Sequence, residues 1–215
     1  DFRNHATSFL MANLFELHDK SKFELIAFSF GPEKKDEMYN RLSAAFDQFI
    51  DVKLKSNDEI VKLSRELKID IAIDLMTFTQ YHRFEIFTKR CAPIQINYLV
   101  YPGTSGANCI DYIIADKTLI PEKNQKYYSE KIVYMPDTYQ VNDSTKKISD
   151  KVFTREELGL SKEGFVFCCF NQNSKLNPEI FDIWMNLLKS INNSVLWILP
   201  QNETAIKNLQ KEAAL

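Results

Sequence analysis

Short apolar runs alternate along this chain with stretches in which apolar residues recur every three or four positions, and that alternation restricts the fold more than any other feature. Residues 23–30 (FELIAFSF), 49–52, 69–75 (IDIAIDL), 94–101 (IQINYLVY), DYIIAD, KIVYMP, 165–171 (FVFCCFN) and SVLWILP read as strands. Between them, the spacing predicts helices over 7–17 (Leu10, Leu14, Leu17), 33–46, the stretch carrying Ile60, Leu63 and Leu67, 83–90, 178–190 and from 203 to the chain end. Ser56-Asn57-Asp58-Glu59 has the capping-box pattern that opens a helix. Strands that alternate with helices pair in parallel, with helices on both faces of the sheet, so the fold class is α/β. FVFCCF and VLWIL are apolar continuously, as strands covered on both faces are. The helix over 7–17 has no strand before it. After a polar stretch at 142–150 the pattern restarts with TREELGL and runs through two strand–helix units. The expectation is a fragment, with most of one α/β domain over 1–150 and the start of another over 151–215.

Composition narrows the function. Of 215 residues, 45% are apolar, and 27 Lys+Arg face 29 Asp+Glu, which excludes a disordered chain and an electrostatic nucleic-acid binder. No apolar run approaches the ~20 residues that cross a bilayer, and no basic-then-apolar leader is present, so a soluble protein is expected. Cys91, Cys109, Cys168 and Cys169 show no CxxC spacing and read as buried apolar thiols in a reducing cytoplasm. His5, His18 and His82 are too scattered for a zinc site.

Four places carry candidate chemistry. In FNQNSKLNP (170–178) a buried strand gives way to a polar loop with Lys175, then to a helix with Asn177 at N-cap and Pro178 at N1. The helix N-terminus carries about half a positive charge and its free N–H groups receive anions, so the loop reads as a phosphate or diphosphate site. The alternative is an ordinary βα turn with an exposed Lys. Residues 92–106 deliver Pro102-Gly103-Thr104-Ser105-Gly106 to a sheet's carboxyl edge, where backbone and hydroxyls suit a sugar or phosphate; a tight turn is the alternative. His5 has the pKa range of a general base or hydrogen-bonding group, or is a helix cap. Asp74, closing IDIAID, accepts a proton, orients a hydroxyl or makes a turn. His82 and Arg83 read as the start of a helix.

Together DFRNHATSFLM, the PGTSG…DYIIAD…YSEK…YMP series, FVFCCFNQNSK and SVLWIL resemble the O-GlcNAc transferase / SPINDLY family of glycosyltransferases, along essentially the whole chain. DFRNHA is more similar to bacterial members. The resemblance implies a GT-B fold, with a Rossmann-like N-terminal lobe over 1–150 and the beginning of a truncated nucleotide-binding lobe over 151–215. It implies an inverting transferase that moves GlcNAc from UDP-GlcNAc to Ser or Thr hydroxyls of proteins in the cytoplasm. On that resemblance no metal or other cofactor, nucleic acid or membrane is expected to take part, and tetratricopeptide repeats are expected to precede the catalytic region. By the same resemblance Gln172 and Lys175 contact the uridine nucleotide and its diphosphate. His5 stands beside sugar and acceptor as base or positioner, with Asp74 as the competing base. Thr79, Leu99, Pro102, Gly103 and Thr104 line the donor sugar. Thr77-Phe78 and Val100 depart from the family's Gly-Tyr and Leu-Gly-Tyr-Pro. These departures leave open a donor such as GDP-fucose or a non-catalytic nucleotide- or partner-binding relative. The fragment by itself is expected to be inactive, because further nucleotide-contacting residues of the family fall beyond Leu215.

Overall fold

The computed structural model describes residues 2–31, 35–199 and 201–214. The expected helix start at Glu33 and the closing prolines Pro32 and Pro200 lie outside them. The chain divides into two compact units, Asp1–Lys147 and Ile148–Leu215.

In the first unit, helix α1 (Ala6–Glu16) buries Ser8, Met11, Ala12 and Phe15 along one stripe, and α2 (Glu37–Ala45) buries Met38, Leu42 and Ala45. These residues close one core with Tyr98 and Leu99. The predicted capping box forms: Ser56 Oγ receives the Glu59 N–H and the Glu59 carboxylate receives the Ser56 N–H, starting α3 (Asn57–Glu66). The buried face of α3 is Ile60, Val61 and Ser64 rather than Leu63 and Leu67. Ser64 is tolerated there because its hydroxyl donates to the Cys91 carbonyl. Helix α4 is a single turn, Glu85–Thr88. His82 and Arg83 precede it instead of starting it, and Arg83 is held by Asn57 Oδ1 and the Lys55 carbonyl, each at 2.7 Å.

Strands β1 (Ile26–Ser29) and β2 (Gln48–Asp51) pair in parallel. Strands β3 (Ile71–Asp74), β4 (Ile94–Asn97), β5 (Tyr112–Ala115) and β6 (Lys131–Tyr134) make a second, all-parallel sheet in that order. β4 is shorter than the run 94–101 predicts, because Leu99 turns into the left-handed region at φ +73° and ends the extended backbone. A cavity of about 670 Å³ separates the sheets, walled by the edges of β1 and β3. The β3 carbonyls of Asp70 and Asp74 point to β4 and receive its N–H groups. The intervening Ile71 and Ile73 therefore aim their N–H groups at the cavity. By the same alternation, Leu25 and Ser29 face β2, and Ile26 and Phe28 face the cavity.

The second unit contains β7 (Val166–Cys169) and β8 (Val195–Ile198), paired in parallel, with α5 (Pro178–Ser190) and α6 (Glu203–Ala213). Gly164, at φ +103°, leads into β7 against the Asn193 backbone; a Cβ there would lie 1.9 Å from the Asn193 oxygen. TREELGL, where the pattern restarts, forms turns. The expectation that the runs FVFCCF and VLWIL are covered on both faces does not hold: Phe165, Phe170 and Leu199 at their ends are each more than half exposed, and no residue of β7 or β8 is fully buried. Two strands with α5 packed on β8 give these side chains too few partners. For the same reason Cys168 is exposed, and of the four free thiols only Cys91 is buried. No helix among the described residues is long and apolar enough to cross a membrane.

Candidate functional site

In the first unit the chemistry gathers at the carboxyl ends of β3 and β4, whose last residues Asp74 and Asn97 are register partners. Asp74 is buried. Its Oδ1 accepts the Met76 and Thr77 N–H groups at 2.9 and 3.1 Å, and its Oδ2 has no partner among the described residues. Burial pushes the Asp74 carboxyl above the usual carboxylate range, against the two N–H groups that lower it. Thr77 is fully buried at φ +47°, a backbone region costly for a β-branched residue. Its hydroxyl donates to Asn97 Oδ1 at 2.9 Å, and Asn97 Nδ2 in turn donates to the Tyr101 and Gly103 carbonyls. The Asp74 turn and the loop after β4 are therefore one hydrogen-bonded assembly, with Phe78 edge-on to Tyr101. The left-handed residue in this stretch is Leu99, so Val100 sits where a branched side chain carries no such strain.

The sequence reads Thr104 and Ser105 as hydroxyls for a sugar. In the structure both donate to Glu130: Thr104 Oγ1 to Oε2 at 2.7 Å, and Ser105 Oγ and N–H to Oε1, the latter at 2.7 Å. Thr104 Oγ1 also accepts from the Gly106 and Ser129 N–H groups. Tyr128 donates to the Pro102 carbonyl. Burial raises the Glu130 pKa, but the hydrogen bonds from Ser105 and Thr104 outweigh it and hold the carboxyl below its ordinary range. Thr79 donates its hydroxyl to the Met76 carbonyl, and Leu99 is buried against α1 and α2. Gln95, in the motif leading to the loop, is fully buried and serves the fold, linking Cys91, Phe87 and Cys109.

His5 is the N-cap of α1, and its Nδ1 accepts the Thr7 N–H at 3.3 Å. That bond places the proton of neutral His5 on Nε2. Partial burial and then the Arg3 charge lower its pKa, so the neutral form prevails at pH 7. Thr7 and Ser8 in the first turn of α1 line the same cavity as Asp74, and Leu99 shares a core with Met11, Ala12 and Phe15 of α1.

In the second unit, Gln172 and Lys175 are exposed in the turn that follows β7, where Asn173–Lys175 forms one 3₁₀ turn. Asn173 fixes this turn to the end of β8, donating to the Leu199 carbonyl and accepting the Gln201 N–H. Asn177 caps α5 by accepting the Ile180 N–H at 2.9 Å, and Pro178 has none to offer. The helix end therefore presents fewer N–H groups than the sequence suggests, Glu179 alone in positions N1 to N3, and Lys175 is the principal positive charge. Glu130, Asn97 and Asn173 are absent from the sequence reading. Polar Gln95 and Asn97 in the short strand β4 are the local signal for one of them.

Comparison with known proteins gives a match to glycosyl transferase family 41 over residues 1–153 and 145–215. A probable UDP-N-acetylglucosamine–peptide N-acetylglucosaminyltransferase, SEC of Arabidopsis thaliana, is 38% identical over 93% of this chain and 21% of its own length. The UDP-N-acetylglucosamine–peptide N-acetylglucosaminyltransferase of Caenorhabditis elegans is 30% identical over 83% of the chain and 16% of its own. Among solved structures, a mutant O-GlcNAc transferase of Thermobaculum terrenum superposes with a TM-score of 0.85 at 26% identity, covering all of this chain and 40% of that one. The chain thus spans about a fifth of the length of the curated relatives it matches. Its fold is α/β of the GT-B glycosyltransferase type, present here as parallel Rossmann-like sheets.

Proposed function

We propose, for a chain that belongs to glycosyl transferase family 41 along its whole length, that it forms part of the catalytic region of an inverting protein O-glycosyltransferase using UDP-GlcNAc and Ser or Thr acceptors. The names of its relatives and its likeness to a solved O-GlcNAc transferase support that reaction class. The observation that carries it at residue level is exposed Lys175, one short turn ahead of α5 at the carboxyl end of β7. A leaving nucleoside diphosphate needs positive charge where its oxygens gather electron density, and a flexible ammonium supplies it.

In this reading the acceptor hydroxyl attacks the anomeric carbon, the bond to the diphosphate oxygen breaks, and Lys175 stabilises the departing charge. Gln172 contacts the nucleotide. His5, with Nδ1 engaged and Nε2 protonated, orients the reactants by donating a hydrogen bond. Asp74, made more basic by burial, is the better acceptor for the hydroxyl proton. Thr79, Leu99, Pro102, Gly103 and Thr104 shape the donor-sugar side. The protein acts in the cytoplasm without metal or other cofactor, and tetratricopeptide repeats ahead of this region present the acceptor.

The test is the complete gene product with labelled UDP-GlcNAc and a Ser/Thr peptide. Lys175→Ala is expected to slow transfer about 100–1,000-fold, the usual cost of losing one such electrostatic donor. Unchanged turnover overturns the assignment.

A further inference from the structure

Glu130 is 4% exposed at the entry to β6, and no lysine or arginine pairs with it among the described residues. A buried carboxylate without a cation is costly unless hydrogen bonds replace its water. Here all of those described come from one place 25 or 26 residues back in the chain, the Thr104 and Ser105 hydroxyls and the Ser105 N–H. Charge-assisted bonds of this kind are the strong ones, so they fix the loop's backbone as well as satisfy the acid. Other groups of the loop are held by neighbouring side chains. The Tyr101 and Gly103 carbonyls are held by Asn97, the Pro102 carbonyl by Tyr128, and the Gly106 N–H by Thr104. The consecutive N–H groups of Gly103 and Thr104 are left without a partner among the described residues. With the Thr104 and Ser105 hydroxyl protons engaged, two adjacent N–H donors remain open to the acceptor oxygens of a ligand.

We infer that Glu130 is a positioning residue: it clamps the loop so that the Gly103 and Thr104 N–H groups receive oxygen atoms of the nucleotide-sugar donor. This rests on the transferase reading above and adds to it a residue and the atoms it aims. Glu130 itself touches no substrate. Its loss weakens donor binding and leaves the acceptor peptide's binding alone, whereas a role in stability alone lowers the amount of active protein and moves neither KM.

The experiment compares wild type with Glu130→Gln, which keeps the shape and removes the charge, in the complete gene product. Donor KM for UDP-GlcNAc, acceptor-peptide KM and melting temperature are all measured. Glu130→Gln is expected to raise donor KM about tenfold or more, as for the loss of charged hydrogen bonds, with acceptor KM unchanged. Ser105→Ala, which keeps the backbone bond to Glu130 and serves if Glu130→Gln does not fold, is expected to raise donor KM about threefold. Donor KM within twofold of wild type in either folded variant overturns the inference while the transferase reading stands. Wild-type protein that neither binds nor transfers from UDP-GlcNAc overturns both.

Discussion

His5 caps α1 through Nδ1, and its titration should report its surroundings in the fold. Its pKa is lowered in the fold, so protonation favours the unfolded chain. Its contribution is complete above the unfolded value of 6.5 and falls as pH drops from there through the lowered folded pKa. An imidazole titration by NMR should give a midpoint below 6.5. Melting temperature should fall between pH 7 and 5.5 by more in wild type than in His5→Asn, which retains a capping acceptor that does not titrate. Equal falls would show that burial and the Arg3 charge do not lower the His5 pKa in the fold. Asp74 shows the opposite sign: burial favours its protonated form, so its strain on the fold grows as pH rises past 3.8. That basicity is what suits it to take a proton.

At the scale of elements, the helix starts obey local chemistry. Ser56→Ala removes both the acceptor for the Glu59 N–H and a partner of the Glu59 carboxylate, and should cost about 1 kcal/mol, read as a melting temperature a few degrees lower. An unchanged melting temperature would mean that α3 is held by packing alone. Such caps are legible in sequence because every participant lies within four residues, and the α5 start at Asn177-Pro178 is read correctly for the same reason. The strand ends are less legible: nothing in IQINYLVY announces that Leu99, a residue with no preference for it, takes the left-handed conformation. Least legible is the loop at 102–105. Its Thr and Ser look like ligand groups until Glu130, distant in sequence, is found to take both protons. The apolar runs FVFCCF and VLWIL announce strands, yet how much of each is covered depends on neighbours that composition does not name.

At the scale of the whole molecule, the expected parallel α/β order is present, but in the first unit it is divided between two sheets. The amides of Ile26, Phe28, Ile71 and Ile73, aimed into the cavity between them, should exchange with solvent much faster than those of Ile96 and Ile113, inside the larger ladder. Hydrogen exchange followed by mass spectrometry or NMR checks this, and equal protection would mean that β1 and β3 lie closer in solution. The division also has a colloidal consequence. Two sheets in one unit have four free margins where a single sheet has two, and each margin is a template on which another extended chain can crystallise its backbone. Preparations of these 215 residues by themselves should therefore gain scattering mass with concentration, as β1 and β3 recruit strands from neighbouring molecules.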